Sequence, residues 1–325
     1  MQSAEVRPEP TFQRKAAIVH AGAVDHARSV EVHPIEDFDL DKTIFQTLEG
    51  RAARFVMRTR VGKEVVWRTA PAEEVQRAYD EVAQPLPEVS AELLRFMVEE
   101  CDFDVEHADG SFLDHLYFCF EYGARHYPGH SPLVMLLHSI LGTGTNTFAM
   151  TADKIPALRP LMTPFEWAHT EAFPSVLRLL YSGGLRQELR DNAHRPEALV
   201  SISFRRVIDN APITLSGEDL WIALNYQLIH LVDFIPVANW PVHLNDTSFI
   251  LFRDLHDLLR LAGKLDATVN YEPASGPREL HGETQGMGGW LTTHSPVRMS
   301  EKMAATSVTR FSARIGHSLH YEIRW

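Results

Sequence analysis

The middle of the chain alternates apolar segments of helical length with short polar breaks. Ser90 precedes AELLRFMVEE and Ser111 precedes FLDHLYFCFEYGARH, so each serine is predicted to cap a helix. The same kind of start, a capping side chain followed by a proline or an acidic residue, recurs at Ser131, Thr163 and Ser216. A last helical segment spans about Thr247 to Lys264. This pattern predicts a bundle of at least six helices.

Glycine and proline predict where three of these helices end. Gly142 is expected to close PLVMLLHSILG, since a glycine most easily adopts the left-handed conformation that ends a helix. Pro174 is expected to kink or stop the helix that begins at Pro164, because proline lacks the N–H that an interior helical position donates. Pro236 is expected to end LWIALNYQLIHLVDFI.

The two flanks of this helical region have a different pattern. Residues Arg54 to Ala70 mix apolar and polar positions around Gly62, which predicts a short hairpin. The chain ends in HSLHYEIRW, whose alternation predicts a strand, and we expect that strand to pair with the hairpin. The predicted fold is therefore mainly α, a helical bundle with a small flanking β element. It divides into an N-terminal extension (1–88), a helical domain (89–264) and a C-terminal tail (265–325) that packs back on the domain.

Composition and charge narrow the class of partner. The chain has 325 residues, 45% of them apolar, which is enough for a buried core. A formal charge of −12 argues against nucleic acid and against an anionic membrane surface, and favours a small-molecule substrate. No apolar run reaches about 18 residues, and the polar first segment is not a signal peptide, so a cytoplasmic protein is expected. A homodimer is compatible with the sequence, which does not determine the oligomeric state.

Histidines inside apolar helical segments are the candidate chemistry. His115 and His138 lie in consecutive predicted helices, and a buried imidazole needs partners for both ring nitrogens. Gln227, His230 and Asp233 follow at a spacing of three and form one polar ridge on a later helix. One interpretation is a hydrogen-bonded network between helices. The other is a divalent metal site for Fe, Mn or Zn, with imidazole and carboxylate ligands from different helices.

Another histidine extends the candidate set. His169 lies in EWAHTEAF with Glu166 and Glu171 close by, and we include it among the possible metal ligands. The two cysteines, Cys101 and Cys119, cannot build a disulfide framework, and the expected state of Cys119 is a buried thiol.

Three motifs in order resemble the HD-type metal-dependent domain, and in particular a bacterial branch with LLDHL and FHSxxGT signatures. They read FLDHL at Phe112 to Leu116, LHSILGT at Leu137 to Thr143, and RRVIDNAPITLSGEDL at Arg205 to Leu220. The resemblance covers about Asp104 to Val237. It implies an HD-like helical bundle.

The resemblance also implies roles for single residues. His115 would be the first metal ligand, His138 the histidine of the paired motif, and His230 or Asp233 the late ligand. Ser139 stands where an HD protein has its aspartate, which argues against a dinuclear site and leaves a mononuclear site or one that has lost its metal. The candidate catalytic residues are Asp114, Ser139 and Tyr226.

The residues around these motifs indicate which class of reaction is expected. HD-like proteins are most often phosphohydrolases, with a minority of oxygenases, but the segment from Phe112 to Gly142 supplies Arg125 as its only arginine or lysine to bind a phosphate. Arg205 and Arg206 are the alternatives. Many aromatic residues nearby favour a small, partly apolar organic substrate. We therefore expect a mononuclear metal enzyme, with oxidation favoured over hydrolysis. The remaining hypothesis is a non-catalytic helical binding protein with a degenerate metal site.

Overall fold

The computed structural model describes residues 88–101, 106–107, 110–144, 148–232, 247–269 and 297–325. This part of the chain is mostly helical and carries a small three-stranded antiparallel sheet, which confirms the mainly α prediction. The HD-like arrangement of the helices stays a prediction. Among the described helices, none combines the length and the apolar character needed to cross a bilayer.

The helices and strands are numbered in chain order. The α-helices are α1 (Ala91–Glu100), α2 (Phe112–His126), α3 (Leu133–Leu137), α4 (Ile155–Leu158), α5 (Pro164–Ser182), α6 (Gly184–Asp191), α7 (Gly217–Val232), α8 (Thr247–Leu261) and α9 (Val297–Arg314). The strands are β1 (Glu106–His107), β2 (Gly110–Ser111), β3 (Ser201–Arg205), β4 (Pro212–Ser216) and β5 (Glu322–Arg324).

Three of the predicted helix starts are confirmed by their capping hydrogen bonds. The Ser90 hydroxyl accepts a backbone N–H from the first turn of α1. Thr163 and Glu166 form a reciprocal capping box at the start of α5. Ser216 accepts the backbone N–H of Asp219 and donates its hydroxyl to that carboxylate at the start of α7. Each contact satisfies a helix N–H that has no partner within the helix.

Helix α5 does not stop at Pro174 but continues through it to Ser182. The proline removes one helical hydrogen bond, which costs about 3 kcal/mol in an isolated helix. However, α5 is buried along most of its length and packs against α3, α7 and α9. This tertiary packing outweighs the local preference, since most helical stability in proteins comes from packing.

The helix that carries His138 is shorter than the sequence predicted. It ends at Leu137, and the chain continues in turns to Gly142, whose φ of 124° confirms that this glycine adopts positive φ. His138 is therefore the residue that follows the last turn of α3. The backbone carbonyls of a last helical turn lack helical partners and are available to side chains.

The C-terminal region forms a long helix and a strand. The predicted strand is confirmed as β5, which pairs antiparallel with β3, while β4 pairs with the other edge of β3. The hairpin predicted near Val56 to Trp67 lies outside the described residues. Helix α9, which the sequence analysis missed, packs on α5 through Val308, Phe311 and Ser312.

Helices α5 and α7 lie at the centre of the described structure and contact each other along buried faces. Helix α3 packs against both of them, α2 packs against α3 and α7, and α8 packs against α7. Asn225 on α7 is fully buried and binds the loop after α8: its amide nitrogen donates to the Lys264 carbonyl, and its amide oxygen accepts the backbone N–H of Asp266 and of Ala267. The predicted histidine positions are thus carried by helices held in the interior.

Candidate metal centre

Three histidines from three helical segments meet in the interior. His115 comes from α2, His138 from the end of α3, and His230 from the last turn of α7. One ligand atom from each lies within 4.8 Å of the others, and the ring centroids are 4.8 to 5.0 Å apart. Sequence analysis predicted this convergence, and His230 supplies the late ligand position that would complete the site.

The distances suit one coordination sphere. The Nε2 atoms of His115 and His138 are 3.0 Å apart. With metal–nitrogen bonds of about 2.1 Å, two neighbouring ligands stand about 3.0 Å apart in octahedral and about 3.4 Å apart in tetrahedral geometry. The pair is already at that separation. The ligand atom of His230 lies within 4.8 Å of the other two, so it would approach them by up to about 1.4–1.8 Å to bind the same ion.

A hydrogen bond fixes the tautomer of His138. Its Nδ1 lies 2.7 Å from the Met135 carbonyl oxygen, which can only accept, so Nδ1 carries the proton. In the neutral ring Nε2 then has a lone pair, and that lone pair faces Nε2 of His115. A backbone carbonyl on the far nitrogen is the usual partner of a metal-binding histidine.

The partner of His115 on its other nitrogen is a thiol. Sγ of Cys119, one turn further along α2, lies 3.9 Å from Nδ1 of His115. If Nδ1 donates to the sulfur, two Nε2 lone pairs face each other and a cation must lie between them. If the thiol donates instead, Nε2 of His115 donates to His138 and the pair is a neutral hydrogen bond. The geometry accommodates both states.

The surroundings are dry and aromatic. His115 and His138 are fully buried, and His230 is 6% exposed. Phe173 of α5 packs against both His138 and His230, with ring centroids 4.7 and 5.3 Å away. Within the described part of the chain, no carboxylate belongs to the three-histidine group. Among the described residues, the ligand set is therefore three imidazoles without a carboxylate to compensate the charge of a divalent ion.

Several candidate residues lie outside this group or outside the described side chains. Ser139 is buried in the turn directly after His138, and its carbonyl accepts the N–H of Gly142. Asp114 belongs to α2, but its side chain is outside the described part, as is the whole of Asp233.

His169 on α5 and Tyr226 on α7 lie outside the three-histidine group. His169 precedes Phe173 by four residues on α5, and Tyr226 precedes His230 by four on α7. Burial raises the pKa of Tyr226, and its hydroxyl donates to the Ser131 carbonyl at 2.8 Å. The structure therefore brings Tyr226 to the start of the segment that leads into α3, and keeps His169 out of the metal-binding group.

These two residues belong to a second group, which we name the aromatic cluster. It consists of Tyr127, His130, Phe165, His169 and Tyr226, whose rings contact one another at centroid distances of 4.4 to 6.5 Å. Sequence analysis did not identify His130 as part of a site, because it occupies the turn between α2 and α3 and has no helical periodicity.

Acidic side chains lie beside the aromatic cluster. Nε2 of His169 is 3.5 Å from a carboxylate oxygen of Asp219, and this contact holds the pKa of Asp219 near 2, helped by the Ser216 hydroxyl. Burial and the neighbouring His169 lower the pKa of His130, while the carboxylates of Asp266 and Glu218 act in the opposite direction. Asp266 and Glu218 are exposed, so this end of the site carries negative charge at the surface.

Arg206, one of the arginines proposed for phosphate binding, is engaged elsewhere, and so is the buried Arg178, which the sequence analysis did not consider. Arg206 forms ion pairs with Glu171 and Asp209, and its guanidinium lies over the Trp167 ring. The fully buried Arg178 of α5 donates to the Thr143 carbonyl and the Ser312 hydroxyl. In the described structure these contacts give neither arginine a role at the three histidines.

No protein-family model, curated protein or solved structure matches this chain. The class of protein that the observations define is a mostly helical one with three buried histidines placed to hold a metal ion. The HD-type resemblance of FLDHL and LHSILGT stays a prediction, and the function is argued from the site alone.

Proposed function

We propose that this protein is a metal-dependent enzyme in which His115, His138 and His230 hold a single Fe, Mn or Zn ion. The observation that carries the proposal is the convergence of three buried imidazoles within 4.8 Å. They come from three separate segments of the chain, so the tertiary structure brings them together at the cost of burying polar groups in an apolar core.

The orientation of the His138 ring meets the requirement of a metal ligand. The Met135 carbonyl holds the proton of His138 on Nδ1 and turns the Nε2 lone pair toward His115. A metal ligand requires this tautomer. Two imidazoles already at 3.0 Å need little reorganisation to bind an ion, and each is locked by packing in the core.

An ion held by three protein ligands keeps open positions, where it polarises a bound oxygen or, if it is iron, reacts with O2. The protein's own contribution is the dry, aromatic surrounding. Phe173 covers two of the three rings, and the neutral ligand set leaves a strong positive charge at a site that water reaches poorly.

These surroundings favour a small, partly apolar organic substrate and oxidation. Phosphoester hydrolysis requires cationic side chains directed at the phosphate, and Arg206 and Arg178 make their contacts to other groups. Hydrolysis of another kind is the second candidate, because three imidazoles also form the ligand set of catalytic zinc sites.

Elemental analysis of the purified protein tests the proposal. We expect about one equivalent of Fe, Mn or Zn in the wild type and less than a tenth of that in His115→Ala and in His138→Ala. His320→Ala is the matched control, since its side chain is 77% exposed and far along the chain from the three histidines. If the wild-type protein held no metal even after reconstitution with each ion, the proposal would be wrong. His115 and His138 would then form a neutral hydrogen-bonded pair.

The two reaction classes separate in a second assay. Metal-loaded protein that consumes O2 with a panel of small aromatic alcohols and amines supports oxidation. Turnover of carboxylic or phosphoric esters in the absence of O2 supports hydrolysis, and either activity should disappear in His138→Ala.

A further inference from the structure

The side chain of His169 is polar and buried, and its local contacts do not explain why it is buried. Its side chain is 1% exposed, and its Nε2 is 3.5 Å from the Asp219 carboxylate, at the outer limit of a hydrogen bond. Its Nδ1 is buried and has no hydrogen-bond partner among the described residues. Buried polar atoms are almost always hydrogen-bonded, so such an atom is expected to serve a ligand.

We propose that His169, oriented by Asp219, binds a hydroxyl or amino group of the substrate and exchanges a proton with it. This inference rests on the proposed function, because it places the substrate beside the three-histidine centre. Neither ring nitrogen of His169 has a hydrogen-bond partner among the described residues, and Nε2 is the one that faces the Asp219 carboxylate. We therefore assign the proton to Nε2 and the lone pair to Nδ1, which acts as the acceptor.

The position of His169 relative to the metal-binding histidines supports this role. Phe173, one turn along α5, contacts His138 and His230 directly. On the facing helix, Tyr226 contacts His169 and stands one turn before His230. One helical turn is about 5.4 Å. We place the substrate along Phe173 and Tyr226, so that one of its groups contacts Nδ1 of His169 and another is directed toward the three histidines.

The neighbouring groups select the kind of substrate. Tyr127, Phe165 and Tyr226 provide aromatic surface for an apolar part. Asp219 contacts His169 directly, and the exposed Glu218 and Asp266 act electrostatically on the neighbouring His130, so this side of the cluster carries negative charge. This arrangement favours a neutral or cationic molecule, such as an alcohol or an amine, and disfavours a carboxylate or a phosphate ester.

The proton transfer is balanced within these groups. When the O–H or N–H bond of the substrate breaks, its proton moves to Nδ1 of His169 and the electron pair of that bond stays on the substrate oxygen or nitrogen. The Asp219 carboxylate then compensates the charge of the imidazolium ring, as a carboxylate does for the histidine of a catalytic dyad.

Histidine tautomers can be measured without knowing the substrate. In protein with ¹⁵N-labelled histidines, prepared metal-free or loaded with Zn, long-range ¹H–¹⁵N spectra distinguish a protonated from an unprotonated Nδ1. The resonances of His169 are identified by their loss in His169→Gln. We expect an unprotonated Nδ1 in the wild type and a mixture of tautomers in Asp219→Asn. A protonated Nδ1 in the wild type, or no change in Asp219→Asn, would overturn the inference.

Metal content separates this inference from the proposed function. His169→Gln and Asp219→Asn should keep at least four fifths of the wild-type metal, because neither residue belongs to the three-histidine group. If His169→Gln lost the metal, His169 would be a ligand and the inference would be wrong while the metal enzyme stood. If the wild type held no metal, the proposed function would fail and the tautomer measurement would still decide the role of His169.

Probe molecules of matched shape test the substrate class. Benzyl alcohol, benzylamine and benzyl phosphate differ only in the polar group and its charge. We expect benzyl alcohol and benzylamine to shift the His169 resonances of the wild type, and to bind at least tenfold more weakly to His169→Leu. Benzyl phosphate should bind at least tenfold more weakly than either to the wild type. Tighter binding of benzyl phosphate, or equal binding of benzylamine to His169→Leu, would refute the assignment.

Discussion

Replacing His230 with alanine separates the metal-binding role of this residue from its role in the core. The side chain is 6% exposed and packs against His115, His138 and Phe173. Deleting a buried ring of this size leaves a cavity, so the metal-free variant should lose about 2–4 kcal/mol of unfolding free energy. That loss is expected whether or not the site binds a metal.

The metal-dependent part of the stability gives the specific signal. At a metal concentration of one hundred times Kd, binding to the folded state adds about 2.7 kcal/mol. For a chain of 325 residues, that is a rise in Tm of about 4 °C. If the loss of the third imidazole weakens binding at least a hundredfold, the same concentration adds at most about 0.4 kcal/mol to His230→Ala.

Calorimetric unfolding of the metal-free and metal-loaded forms of both proteins measures this increment. The cavity term is common to both forms of the variant, so it cancels in the difference between them. The exposed His320→Ala should keep the full wild-type increment. An increment in His230→Ala of more than half the wild-type value would show that His230 is not a ligand.

Three further predictions concern residues around the site. Cys119→Ala should lower metal affinity about tenfold in a chelator competition assay, because its thiol partners Nδ1 of His115; unchanged affinity would exclude that role. Gly217→Ala should destabilise the fold by roughly 3 kcal/mol or more in urea unfolding, because a Cβ there would stand 1.9 Å from the Leu199 carbonyl oxygen. Gly129→Ala is the control, since a Cβ at Gly129 would meet no neighbour within 4 Å. Because the pKa of Asp219 is depressed to about 2, its contact with His169 stabilises the fold above about pH 4, and that stability is lost as the pH falls toward 2. The stability difference between wild type and Asp219→Asn, measured by urea unfolding between pH 3 and pH 6, should therefore narrow toward pH 3. A constant difference would contradict a stabilising contact between the Asp219 carboxylate and His169.

Local signals explain which parts of the fold could be predicted. Capping residues such as Ser90, Thr163 and Ser216 act within one turn of a helix, so the sequence shows them directly. The sequence did not show that α5 continues through Pro174, because this depends on packing contacts with α3, α7 and α9, which come from distant segments. Helix α9 was missed because its sequence is polar overall and only a few of its residues are buried.

The candidate site also combines features that the sequence shows with features that depend on tertiary structure. The sequence determined that His115, His138 and His230 lie in apolar segments, because burial of a polar group among leucines is visible as a pattern. Only the tertiary structure decided that the three meet, that His138 bonds to Met135, and that His169 faces Asp219 instead. Such distances depend on how helices cross and where each one ends, and no periodicity within a single helix contains that information.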